Sequence, residues 1–180
     1  MRLLPSRSAE KLLLPFVLGV SDGILNALIL AATSILNGQR AQIQVGLRVA
    51  TVALVTAVFT VYIAEYSELR GQLARASRQL NLTSPGRLAA TRLGGVVIRE
   101  AGVATAVAGL ASFFGALIPL LIGAAVPGPS WLPLAVSLLI LGVLGTGIGT
   151  AVGGSRLRWS CALVIGGVCV TAVGLQLRIL

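Results

Sequence analysis

Five apolar stretches govern what this chain can fold into: residues 12–36, 45–66, 101–124, 131–153 and 159–177. Each is close to the ~20 residues that carry a helix across a bilayer core. Composition agrees, since 56% of the 180 residues are hydrophobic and only 11% are charged, against roughly a quarter charged in a soluble domain. The expectation is an all-α integral membrane protein, a single domain of five transmembrane helices. A cleaved signal peptide is the other reading of the first stretch, because Arg2, Arg7 and Lys11 precede it. Its apolar run is longer than the roughly 7–15 residues of a signal core, however, and it contains a carboxylate.

The arginines set an expected orientation, because short cytoplasmic loops carry the excess of Lys and Arg. The N-terminal tail holds Arg2, Arg7 and Lys11, and the connection at 67–99 holds Arg70, Arg75, Arg78, Arg87, Arg92 and Arg99. The turn after the fourth stretch holds Arg156 and Arg158. Five spans put all three on one side, so the N terminus is expected inside and the C terminus outside. Within 67–99, Leu69, Leu73, Ala76 and Leu80 recur at helical spacing opposite the arginines, which reads as an amphipathic continuation of the second span. A break is expected at 81–86, where Ser84-Pro85-Gly86 follows Asn81. The net charge of +9 points to anionic lipid head groups as partner. Nucleic acid is not expected, because no aromatic side chains interleave with the arginines as a stacking platform requires.

One residue violates the pattern of the first span. Asp22, in Gly19-Val20-Ser21-Asp22-Gly23, stands near its middle, where a charge costs about 2.5–3.5 kcal/mol on insertion scales. Asn26 follows four residues later on the same helix face, and Glu65 and Glu68 share a face at the end of the second span. Carboxylate and carboxamide oxygens suit divalent cations such as Mn2+ and Fe2+. These four residues therefore outline a pathway from mid-membrane to a cytoplasmic mouth. The plainer reading is that Asp22 bonds a neighbouring helix or pairs with an arginine, while Glu65 and Glu68 pair with Arg70 or Arg75.

Glycine is the second signal. Gly19 and Gly23 bracket Asp22, and Gly145, Gly149 and Gly153 recur every four residues in the fourth span, a spacing that lets helices approach closely within a chain or between copies. Pro119 is expected to kink or break the third span. Histidine is absent, and Cys161 and Cys169 lie within one apolar stretch, where they read as reduced small hydrophobes. No nucleophile, acid–base pair or phosphate-cradling loop forms a coherent site, so an enzyme is not expected, nor a permanently bound cofactor.

Three stretches resemble the vacuolar iron transporter family. Ser21-Asp22-Gly23-Ile24 resembles the Ser-Asp-Gly of that family's first span, and Ala64-Glu65-Tyr66-Ser67 with Gln72 resembles its Gly-Glu-Tyr and downstream Gln. Ser112-Phe113-Phe114-Gly115-Ala116-Leu117-Ile118-Pro119-Leu120 resembles its Gly-Ala-Leu-Ile-Pro signature. The resemblance implies a homodimer whose pore is built by the first span of each protomer, with Asp22 in the translocation path and Glu65 at its cytoplasmic entrance. It also implies export of Fe2+ or Mn2+ from the cytosol in exchange for protons. The expected location is the plasma membrane of a prokaryote.

Two departures from the family pattern stand beside these matches. Val61 occupies the place of the family's second-span methionine, and an Arg-rich connector replaces a Glu-rich metal-gathering domain. They leave open a second function: a non-transporting membrane scaffold or accessory subunit that keeps the fold and binds a partner membrane protein or lipid. Within the first reading, the Gly19 to Ala27 face is expected to meet the second copy, where two Asp22 carboxylates would share a proton or a cation.

Overall fold

The structure is a computed structural model that describes residues 7–36, 43–79, 92–125 and 129–177. Five helices follow one another: α1 (Arg7–Leu36), α2 (Ile43–Gln79), α3 (Arg92–Ala125), α4 (Leu132–Ala151) and α5 (Arg156–Leu177). Each contains a segment long and apolar enough to cross a bilayer, and no strand occurs among the described residues. The protein is therefore an all-α, multi-pass membrane protein. The expected break at 81–86 and Arg87 lie outside the described residues.

The helices outrun the apolar stretches that announce them. α2 continues to Gln79, past the expected span end at 66, and α3 begins at Arg92 rather than near 101. A bilayer limits only the apolar part of a helix, and beyond it arginine is itself a good helix former. Along the extension of α2, Leu69, Leu73 and Ala76 are half-buried while Arg70 and Arg75 are exposed, as the amphipathic spacing requires. Arg78 lies in the same extension. Pro119 does not break α3, which is helical from Arg92 to Ala125 with the proline fully buried. Bundles can accommodate such a proline when neighbouring groups satisfy the backbone it frees.

Helix α3 is the central element. It packs against α1, α2 and α4, while α5 touches only α4 and α1 among the described residues. The buried share of the apolar windows follows this order, 44% in α3 against 11% in α5. Three small cores hold the bundle. Ile24 and Leu28 of α1 meet Leu141 of α4, Ala27 and Leu30 of α1 meet Leu120 of α3, and Ala50 and Ala53 of α2 meet Ala116 of α3.

Glycines set the closest approaches and fix the register. A Cβ on Gly19 would strike the Ala108 carbonyl oxygen, and one on Gly23 the Ser112 carbonyl oxygen. α1 therefore runs parallel to α3, offset by a constant register. A Cβ on Gly109 would lie 2.7 Å from Val58 Cγ2, and one on Gly46 would lie 3.3 Å from Leu120 Cβ, so α2 runs antiparallel to α3. Gly145 and Gly149 pack on the Ser160 and Arg156 backbone, closing the α4–α5 hairpin.

Two glycine expectations change. Gly153 is not part of a packing face: α4 ends at Ala151, and Gly153 takes φ +68° in the turn beyond it. The Gly154 N–H donates to the Gly149 carbonyl at 2.9 Å and the Gly153 N–H to Thr150 at 3.4 Å, the paired bonds of a glycine helix stop. Ser155 then caps α5, its Oγ accepting from the Arg158 N–H at 3.2 Å. The row of Gly19, Gly23 and Ala27, expected to meet a second copy, is instead filled by α3 of the same chain.

Candidate functional site

Asp22 sits ten residues into the apolar window that begins at Leu12, so about 15 Å along the helix, near the middle of a ~30 Å core. It is half-buried. Ser112 of α3, itself fully buried, donates from Oγ to Asp22 Oδ2 at 3.0 Å. A side-chain hydrogen bond contributes about 0.5–1.5 kcal/mol, and more where one partner is charged. The contact exists because Gly23 lets the Ser112 backbone come against α1, which no residue with a Cβ would allow without a shift. Two of the three stretches that carry the family resemblance therefore interlock around this carboxylate.

A carboxylate can accept several hydrogen bonds, and only Ser112 supplies one to Asp22 among the described residues. Asn26 does not face it with its side chain: its Nδ2 donates to the Asp22 backbone carbonyl at 2.9 Å. This ties Asn26 to its own helix with its side-chain oxygen left as an acceptor. Along the same ridge, one and two turns towards the start of α1, Leu18 is 52% exposed and Leu14 61% exposed. The acid thus stands at the edge of a surface open on the chain's exterior.

The second pair of carboxylates lies apart from Asp22. Glu65 continues the ridge of Ala57 and Val61, which are buried towards α3, and is half-buried without a hydrogen bond or ion pair among the described residues. Glu68 is exposed and accepts from Gln72 Nε2 at 3.5 Å. Arg70 does not pair with either acid. It donates to Tyr66 Oη at 2.7 Å and lies 5.7 Å from the centre of that ring, which stacks on Tyr62. Among the described residues no three of His, Cys, Asp and Glu converge as a metal-binding group. The four expected pathway residues therefore form an upper pair on α1 and a lower pair on α2.

Ser112 is the contact of Asp22 that the sequence alone does not reveal. It begins the stretch 112–120 that carries part of the family resemblance, but linking it to Asp22 needs the α1–α3 register, which no local pattern carries. The basic residues Arg70, Arg75 and Arg92 are exposed at one end of the bundle, together with Arg99, Arg156 and Arg158. That end is shared by the finish of α2, the start of α3 and the α4–α5 turn. No family model, curated protein or solved structure matches this chain.

Proposed function

We propose that the chain is a membrane carrier for divalent transition-metal cations, Fe2+ or Mn2+, moving them out of the cytosol in exchange for protons. One observation carries this reading: Asp22, at mid-membrane depth, is held by Ser112 through one oxygen only and borders the open ridge of Leu14 and Leu18. An ionisable group at that depth faces a cavity or a partner rather than hydrocarbon. A second copy meeting this ridge would place two Asp22 carboxylates close together, where one proton or one divalent cation relieves their repulsion. The homodimer is thus part of the proposal, and its interface is the Leu14–Leu18–Asp22 ridge rather than the glycine row. The exposed arginines at one end support a cytosolic position for that end, against anionic lipid.

A second reading has its own observation. Val61, where the resembling family has a methionine, is 9% exposed in the row that α2 turns towards α3 and offers no ligand. A scaffold would cover the same open ridge with a partner membrane protein. Cation binding separates the two. Mn2+ at about a hundred times its Kd stabilises a protein that binds it by about 2.7 kcal/mol. The carrier reading expects a raised melting temperature for the native protein and none for Asp22→Asn. An equal response in both would remove Asp22 from the site.

A further inference from the structure

Thr105 is the one threonine of the described helices whose hydroxyl is unaccounted for. It is 6% exposed, and its Oγ1 is buried with no hydrogen-bond partner among the described residues. The others donate to a carbonyl three or four residues earlier, as Thr56 does to Val52 and Thr171 to Gly167. Back-bonding of this kind is the ordinary way for a helix to satisfy a threonine. A buried hydroxyl without a partner costs about 1–3 kcal/mol, so a group of this kind points to something that completes it.

Its position is specific. Thr105 and Ser112 lie seven residues apart on one face of α3, separated by about 10 Å along the axis. Ala101 and Ala108, both fully buried, fill the positions below and between them. α1 is parallel to α3 with Gly19 against Ala108, so Thr105 stands at the level of Phe16, two turns on the basic side of Asp22. α2 is antiparallel with Val58 against Gly109, which sets Val61 and Tyr62 at the level of Thr105, Val61 buried and Tyr62 exposed, and Glu65 about one turn beyond. Measured from the basic end, the polar groups come in the order Glu65, Thr105, then Ser112 with Asp22. The buried residues around this seam are Ala57 and Val61 on α2 and Val97 and Ala104 on α3, in addition to Ala101 and Ala108.

We infer that Thr105 Oγ1 is a hydration site between Glu65 and Asp22, where it bonds water, including the water shell of a cation passing along the seam. What travels there rests on the carrier reading above; that Thr105 is hydrated does not. Thiol reactivity reads this directly, because only the thiolate reacts, and a thiol in apolar surroundings stays protonated. In the full chain carrying Cys161→Ala and Cys169→Ala, Thr105→Cys should be modified by a small cationic methanethiosulfonate, measured by intact mass. Ser155→Cys in the exposed α4–α5 turn is the positive control, and Leu110→Cys, 56% exposed on the lipid-facing side of α3, the negative one.

Modification of Thr105→Cys that Mn2+ slows supports both the hydrated site and the carrier. Modification indifferent to Mn2+ supports the site and counts against the carrier. A thiol as inert as that of Leu110→Cys overturns the site, and means that Thr105 turns back to its own helix in a dry seam. Should Thr105→Cys fail to fold, Asp22→Cys, farther along the same track, reports instead. Adding Thr105→Val should slow its modification, and an unchanged rate would overturn the inference.

Discussion

At the scale of single residues, what separates this molecule from a generic apolar bundle is where a Cβ is forbidden. Gly23 and Gly147 both lie inside membrane helices, yet a Cβ on Gly23 would collide with the Ser112 carbonyl, while one on Gly147 would meet nothing within 4 Å. Gly23→Ala should therefore destabilise by about 1–3 kcal/mol through overpacking. Gly147→Ala should be neutral or stabilising by up to about 1 kcal/mol, because alanine is the better helix former. Thermal unfolding of the two variants in the same detergent measures the contrast, and equal stabilities would refute the α1–α3 register. Gly23 also sets the approach on which the Ser112–Asp22 bond depends, so Gly23→Ala should weaken Mn2+ binding beyond its effect on folding. Asp22 was legible from the sequence because a carboxylate amid apolar residues is an outlier. Its partner was not, since Ser112 is ninety residues away in the chain.

At the scale of elements, the apolar runs disclosed all five helices, because hydrocarbon demands backbone bonds satisfied within each segment. The ends were less legible. α2 and α3 extend past the apolar runs into segments that carry arginine, where hydropathy no longer marks a helix, and α4 stops inside an apparent glycine row. The four-residue spacing of Gly145, Gly149 and Gly153 treats the three alike, but only the first two pack on α5. Gly153 serves the turn instead, with a left-handed backbone that costs other residues roughly 1–2 kcal/mol. Gly153→Ala should lower stability by about that amount and leave Mn2+ binding intact, as measured by unfolding and by metal-induced thermal shift. Loss of binding in this variant would show that the α4–α5 hairpin shapes the site.

At the scale of the whole molecule, the bundle divides into a basic end, an apolar girth and one acid at mid-depth. Charge and hydropathy made the first two legible, because both are sums over many residues. The third was legible as an outlier, but its setting against Ser112 required the fold, in which α3 packs against both α1 and α2. Leu14 and Leu18 are exposed beside Asp22, and the carrier proposed above would cover them with its own second copy. Uptake of Fe2+, Mn2+ and Co2+ into proteoliposomes, comparing the native chain with Asp22→Asn, tests this most directly. The account predicts saturable uptake of Fe2+ or Mn2+ that is coupled to proton movement and lost in the variant. No uptake of any of the three cations by folded, inserted protein, or equal uptake by both forms, would contradict it.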